Sequence, residues 1–323
     1  MPPKRILTAL FLLLLFRPTP ARSQEEPCRN LKLPLVVVDS KGRPIPNLAP
    51  SDFRAKMHGK PVGIASMVPD GRPRRIVILL DASGSMADSW GLALFVARNL
   101  IEVHLPDASF AMLIFAKGPV EQIGFDAGVK GVEKRLEEME KDLARGKPFT
   151  KGYSAVFDSI LAALRMLGRA DSADSIYLIS DAADNASKAS LRDAKRALVS
   201  SGTRLHHVFF PTPYGYRPTP EELNAPKDAA ALVRASGGLA VEGPPRRTLS
   251  QQLSAHEMAS FSSSLRAADN SVIQTWRIEL EMPDASDKWR EWELQFSDER
   301  GERFKGAKII YPHELAPCTL PAR

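Results

Sequence analysis

Ile76-Val77-Ile78-Leu79-Leu80-Asp81-Ala82-Ser83-Gly84-Ser85-Met86 is an unbroken apolar run that passes straight into a carboxylate and two hydroxyls. A run of that length suits a strand buried on both faces of a parallel sheet. In such a sheet the carboxyl ends of the strands form the ligand crevice, so Asp81, Ser83 and Ser85 emerge where a ligand would sit. A second strand of the same kind, Ile176 to Ser180, ends at Asp181, and Ser154 lies on the loop before a predicted helix over 155–167. Two carboxylates and three hydroxyls at one sheet edge describe a site for a hard divalent cation: Mg²⁺, or Mn²⁺ or Ca²⁺ in its place. With only two of the five donors charged, such a cation would stay electron-poor and accept a further carboxylate from a partner.

Around these strands the pattern alternates. Leu92–Leu105 is apolar almost all round and predicts a buried helix; Phe110–Phe115 is another buried strand, and Val120–Phe125 fits a returning hairpin strand. Val132, Leu136, Met139 and Leu143 fall at helical spacing among Glu and Lys, predicting an amphipathic surface helix. A helix over 188–200, a strand over Leu205–Phe210, a Pro-rich loop over 211–226 and a short helix over Ala229–Ala235 follow. Gly237-Gly238 stops that helix, Leu239–Val241 is a strand, and 249–268 reads as a helix. Strands alternating with helices predict an α/β domain with a doubly wound, mainly parallel sheet over about residues 74–265.

The flanks alternate with the period of strands instead. Leu31, Leu33, Leu35 and Val37, then Phe53 and Met57, then Ile64–Val68 mark the N-terminal segment, with turns at Asp39–Gly42 and His58-Gly59. Trp276, Ile278, Leu280 and Met282, then Trp292, Leu294 and Phe296, then Ile309–Tyr311 mark the C-terminal one. The simplest arrangement is that 24–73 pairs with 266–323 in a small β-sandwich into which the α/β domain is inserted.

The 323 residues are 44% apolar and 25% charged, ordinary globular usage that argues against disorder and coiled coil. Residues 1–23 read as a signal peptide: Lys4 and Arg5, an apolar stretch from Ile6 to Phe16 too short to span a bilayer, and a small-residue end at Ala21-Arg22-Ser23. Their removal takes away Lys4, Arg5, Arg17 and Arg22 and no acid, so the formal charge of +6 falls by 4 to +2. Nucleic acid is then a poor partner, and no later segment is apolar enough to anchor in a membrane. Export to the periplasm or medium makes a disulfide between Cys28 and Cys318, the only cysteines, the first expectation.

The Asp-x-Ser-x-Ser string after an apolar strand, the later hydroxyl and the later strand-terminal Asp resemble the metal-ion-dependent adhesion site of von Willebrand factor A domains. By position Asp81, Ser83 and Ser85 match the first motif, Ser154 in Gly152-Tyr153-Ser154-Ala155 stands where Thr is usual, and Asp181 matches the last carboxylate. Residues 36–68, Ala235-Ser236-Gly237-Gly238 and the closing strands are similar to exported bacterial proteins called von Willebrand factor A-related. The resemblance implies a non-enzymatic module that binds a partner's acidic side chain through Mg²⁺, held directly by the three hydroxyls and partly through water by Asp81 and Asp181. Two departures stand out: Ser154 lacks the methyl of Thr, and Ala182 follows the last Asp where the family has Gly.

Other readings compete. Asp81, Ser83 and Ser85 could merely cap the following helix, and Asp181 could end a strand in a turn. A metal-dependent phosphoryl-transfer enzyme with an aspartyl nucleophile wants a second acid two residues on, where this chain has Ser83. A structural envelope scaffold would use the metal only to stiffen the loops. His206-His207 reads as strand residues with one ring facing the core, Arg72, Arg74 and Arg75 as a solvated interdomain edge, and Asp184-Asn185 as a turn and helix cap behind the site.

Overall fold

The computed structural model describes residues 28, 30–147, 150–211, 218–244, 254–282, 286–297 and 303–318. The expected signal peptide and the first residues of the 249–268 helix lie outside them. In chain order the strands are β1 (Asn30–Val38), β2 (Phe53–Met57), β3 (Lys60–Pro69), β4 (Arg74–Asp81), β5 (Ala108–Phe115), β6 (Pro119–Ile123), β7 (Ser175–Ser180), β8 (Arg204–Phe209), β9 (Ala240–Glu242), β10 (Trp276–Glu281), β11 (Arg290–Phe296), β12 (Lys308–Ile310) and β13 (Glu314–Leu315). The helices are α1 (Trp90–His104), α2 (Gly128–Ala144), α3 (Val156–Leu167), α4 (Leu191–Ser201), α5 (Pro220–Ser236) and α6 (Ala255–Ile273).

The middle of the chain forms a six-stranded sheet in the order β6-β5-β4-β7-β8-β9. β4 pairs in parallel with β5 and β7, β7 with β8 and β8 with β9; only β6 at the edge is antiparallel. Alternate residues of β4 serve opposite faces, as strand geometry requires. Ile76, Ile78 and Leu80 pack with residues of α1, α2 and α6, whereas Val77 and Leu79 pack with residues of α3, α4 and α5. That two-sided burial is the physical reason the sequence shows an unbroken apolar run there rather than alternation.

Two local expectations are corrected here. The stretch from Pro220 to Pro226, read as loop, is the start of α5. Thr219 caps it through Glu222, whose N–H donates to Oγ1 at 3.3 Å while its own carboxylate takes the Thr219 N–H at 2.7 Å, and Pro220 occupies the first turn, where its missing N–H costs nothing. The helix tolerates Pro226 at the loss of one internal hydrogen bond. At its other end Gly237 takes φ +72°, and a side chain on Gly238 would run into the Leu205 carbonyl of β8 at 1.8 Å. The second correction concerns the arginines. Arg72 ion-pairs with Asp70 at 2.5 Å and with Asp171, Arg75 pairs with Asp174 at 2.6 Å, and buried Arg74 donates to the Ile273 carbonyl at 3.2 Å. All three are partnered rather than left on a solvated edge: Arg72 bridges Asp70 of the β3–β4 link to Asp171, and Arg74 and Arg75 bind groups of the α/β part itself.

The terminal segments build one seven-stranded sheet, β12-β1-β10-β3-β2-β11-β13, not the two layers of a sandwich. β10 from the C-terminal segment lies between β1 and β3 of the N-terminal one, with Leu33 opposite Ile278 and Leu35 opposite Trp276. Each segment thereby closes edges that the other would leave unpaired. Twist and the register shift between Glu279 and Leu280 let the sheet curl over its own apolar face. Leu35, Phe53, Ile278, Trp292 and Tyr311 from across its width share one core. Cys28 and Cys318 are disulfide-bonded with Cα atoms 5.6 Å apart, fastening the two ends of this sheet's chain. No helix among the described residues is long and apolar enough to cross a membrane.

Candidate functional site

All five residues singled out in the sequence meet at the carboxyl ends of β4 and β7. Asp81 is the last residue of β4 and fully buried. Its Oδ1 accepts the Ser83 N–H at 2.9 Å, and its Oδ2 accepts hydroxyl protons from Ser154 at 3.1 Å and Ser180 at 2.5 Å. Ser83 Oγ lies 3.1 Å from Ser85 Oγ, and the Ser85 hydroxyl in turn donates to Asp181. A chain of polar contacts therefore runs from Asp181 through Ser85 and Ser83 to Asp81 and Ser154. Ser83 and Ser154 are buried, Ser85 is exposed, and Asp181 keeps 7% of its surface, so the cluster opens to solvent past Ser85.

The helix-cap alternative meets a direct test. Residues 84–89 make a short turn ahead of α1, and neither Ser83 before that turn nor Ser89 before the helix makes a side-chain capping bond. The oxygens of Asp81 and Ser83 face the cluster instead. Asp181 does form the turn foreseen for it, its Oδ1 accepting the Ala183 N–H at 3.2 Å. The next residue, Ala182, has φ +58°, a left-handed conformation that an L side chain resists. This is the position where the resemblance leads one to expect Gly.

Electrostatically the cluster is strained. Burial raises the Asp81 carboxyl above its ordinary range, opposed by hydrogen bonds from Ser180, Ser83 and Ser154. Burial likewise pushes Asp181 up to about 6, and the charge of Asp81 adds to it, with Glu222 contributing from α5. Two carboxylates that repel each other in a dry setting favour a proton or a cation. The hydroxyls of Ser83, Ser85 and Ser154 direct protons along the cluster toward the carboxylates, which leaves oxygen lone pairs for an electron-pair acceptor. The donor chemistry thus fits a hard divalent ion.

The backing of the cluster was mostly invisible in the sequence. Ser180 donates to Asp81 while its oxygen accepts the Ala182 N–H at 2.8 Å, so it fixes both strand ends at once. A hydroxyl directly before the strand-terminal Asp is the only sequence signal for it. The imidazole of His207 lies with Nε2 3.1 Å from the Ser180 carbonyl, and burial lowers its pKa to about 4, so the neutral ring donates that bond. Both His206 and His207 are buried, not one; His206 stacks on Tyr177 at 4.6 Å.

The two loops of the site are locked together. Asn185 Oδ1 accepts the Ser154 N–H at 2.8 Å, and the Ser154 carbonyl accepts the N–H groups of Asn185 and Ala186 at 3.0 Å each. Asp184 does not cap the helix that follows it; its Oδ2 accepts the Phe157 N–H of α3 at 2.9 Å. Asp158 reciprocates by accepting the N–H groups of Lys188 and Ala189 at 2.9 Å each. Gly152, at φ +79°, lets its carbonyl take the Gly84 N–H at 3.0 Å and so joins the first motif to the Ser154 loop.

No family model matches the chain, and no curated protein does. Among solved structures it is similar to the conserved hypothetical protein BatB from Bacteroides thetaiotaomicron, at 19% identity and a TM-score of 0.39 over 59% of this chain and 99% of that one. It is similar to an aerotolerance-related membrane protein from Bacteroides fragilis at 17% identity and a TM-score of 0.42, over 61% of this chain and 98% of that one. A von Willebrand factor type A protein from Catenulispora acidiphila is 14% identical with a TM-score of 0.39, over 91% of this chain and 75% of that one. These are likenesses of fold; the function argued next rests on this chain's own residues.

Proposed function

We propose that the chain is an exported, non-enzymatic protein-interaction module of the von Willebrand factor A type, carrying a metal-ion-dependent adhesion site. The observation that carries the reading is the meeting of two buried, mutually repelling carboxylates, Asp81 and Asp181, with the hydroxyls of Ser83, Ser85 and Ser154 in one cluster that opens to solvent. Ser83, Ser85 and Ser154 would hold Mg²⁺ directly, with Asp81 and Asp181 supplying the charge. The ion, when bound, supplies a Lewis-acidic point at which a partner's Asp or Glu side chain docks. Ser180 and His207 position Asp81 from behind, and Asn185 positions Ser154. The disulfide supports export, since such bonds persist in oxidising compartments. Calorimetric titration with Mg²⁺ or Mn²⁺ tests the site: the wild type takes up the ion, and Asp81→Ala, stripped of half the formal charge, does not. Equal uptake by both proteins would sink the reading.

A further inference from the structure

His207 backs the cluster from one face of β8; His206, its neighbour in the chain, serves the other face, where the site makes no use of it. Gly238 brings the chain close against Leu205 of β8, and the Leu239 N–H that follows donates to His206 Nδ1 at 3.1 Å. A ring nitrogen that accepts from a backbone N–H carries no proton, so the neutral ring holds its proton on Nε2. That Nε2 is buried without a hydrogen-bond partner among the described residues. A second proton can go only to Nδ1, where it would meet the Leu239 N–H donor to donor. Protonation and the bond to Leu239 therefore exclude each other.

The surroundings oppose the charge as well. On β8 itself lies fully buried Arg204, whose pKa burial lowers only to about 10, so it stays a cation. Buried Arg74 of β4 and His104 of α1 belong to the same cluster, as does Tyr177 of β7, on which the His206 ring stacks. The acid among the described residues here is Asp269 of α6, and it is engaged elsewhere. Its Oδ1 accepts the Tyr177 hydroxyl proton at 3.3 Å and lies 3.5 Å from His104 Nε2. A cavity of about 10 Å³ beside Tyr177, His206 and Asp269 has room for about one water and none for a counter-anion. Burial, with the charges of Arg204 and His104 adding to it, holds the ring well below its ordinary 6.5.

What covers the ring is β9 and α6, consecutive elements of the chain. Leu239 and Val241 from the first, and Leu265, Asp269 and Val272 from the second, line that cavity. We propose that His206 is an acid-sensitive latch: a proton on Nδ1 breaks the bond to Leu239 and releases β9 and α6 from the sheet while β4, β5 and β7 stay folded. Opening restores the ring's ordinary proton affinity, so each pH unit below about 6.5 multiplies the open population by about ten. It also bares Phe261 and Leu265 of α6 and the core residues Val208 and Phe210 beside them, so acid turns a covered apolar layer into an exposed one. The latch does not depend on the reading of the metal cluster.

Hydrogen exchange on the full chain in EDTA, read as protection relative to an unstructured amide at the same pH, tests it from about pH 7.5 to about pH 4.5. Amides of β9 and α6 should lose protection by about tenfold per pH unit below about 6.5, while those of Val77 and Leu79 in β4 stay better protected throughout. His206→Asn keeps an acceptor at the place of Nδ1 and cannot take the proton, so it should hold Leu239 and flatten the pH dependence of β9 and α6. His206→Phe, with no acceptor, should lower their protection equally at every pH. Protection of β9 and α6 that matches β4 in level and slope means one global unfolding and overturns the proposal. So does protection independent of pH in the wild type, or the wild-type slope surviving in His206→Asn.

Discussion

Asp181→Asn should make the metal-free protein more stable while destroying its response to metal. In the folded chain the Asp181 carboxyl stands at about 6 against an ordinary 3.8, with burial and then the charge of Asp81 as the causes. Converted through linkage, ionising it in the folded state costs about 3 kcal/mol more than in the unfolded chain. The sign follows from proton counts. Between pH 4 and 6 the folded state binds more protons than the unfolded one, so stability falls as pH rises and the deficit is complete above about pH 6. Asparagine keeps an oxygen for the Ala183 N–H and carries no charge to be repelled. At pH 7.5 in EDTA the variant should therefore gain about 1–3 kcal/mol, seen as a rise in Tm of several degrees, with the gap narrowing toward pH 5.

Saturating Mg²⁺ reverses the order. A ligand at about 100 times its Kd adds about 2.7 kcal/mol to whatever binds it, and only the wild type should do so. Thermal unfolding of both proteins, in EDTA and in Mg²⁺ and at two pH values, reads all of this. A variant less stable than wild type in EDTA at pH 7.5 would refute the claim that the two carboxylates repel in the metal-free fold. Equal stabilisation of both proteins by Mg²⁺ would refute the claim that Asp181 serves the ion.

Asp81→Ala, beyond losing the ion, should lower stability by about 2–4 kcal/mol in EDTA, because it leaves the Ser83 N–H and the Ser154 and Ser180 hydroxyls buried without their acceptor; denaturant titration measures it. Replacing Cys28 and Cys318 together by Ser should cost about 6 kcal/mol in the loop-entropy account, given their separation of 290 residues, and thiol reductant should then leave the urea midpoint of the variant unmoved. His206 and His207 are both held below their ordinary 6.5 by burial, His207 at about 4. The unfolded chain takes up those protons first, so stability should be lost as pH falls from about 6.5 toward 4, by about 3 kcal/mol for His207 alone, and urea midpoints of His207→Gln across that range should show a shallower decline.

What the sequence made legible was whatever has a local signature. The apolar run of β4 and the carboxylate at its end belong to one short string, and so do the Ile176–Ser180 strand and Asp181. Ser154 was found by its place before a helix. What stayed hidden depends on residues far apart in the chain. The interleaving of β10 between β1 and β3 is a matter of which edges meet, and alternating strands alone are equally compatible with a sandwich. The early start of α5 was masked by four prolines from 211 to 220 and by Pro226, although Thr219 and Glu222 form a capping pair whose spacing is legible in the sequence. Asp184 does close a turn and cap a helix, accepting the Ser187 N–H and the Phe157 N–H, but the helix is α3, which precedes it in the chain, and no local pattern shows that. Buried Arg74 was misread because arginine composition says solvent and only the fold supplies the Ile273 carbonyl.

The two sheets bear on function through where they join. The chain enters the α/β part from β3 into β4 and leaves it from α6 into β10, and these crossings lie side by side: the Asp70 N–H donates to the Thr275 carbonyl at 2.9 Å, and Arg74 reaches Ile273. This is the amino end of β4. Asp81 and its partners lie at the opposite, carboxyl end of the same eight-residue buried strand. Further contacts of the curled sheet also fall away from the cluster, at the C-terminal end of α5, where the His313 N–H donates to the Arg234 carbonyl at 3.4 Å, and on α4, where Lys195 pairs with Glu314 at 2.6 Å. The terminal sheet with its disulfide therefore acts as a closed base that holds both ends of the inserted part. Because the base grips the amino end of the parallel sheet, the carboxyl end, with exposed Ser85, is left facing outward, as the proposed docking of a partner there requires.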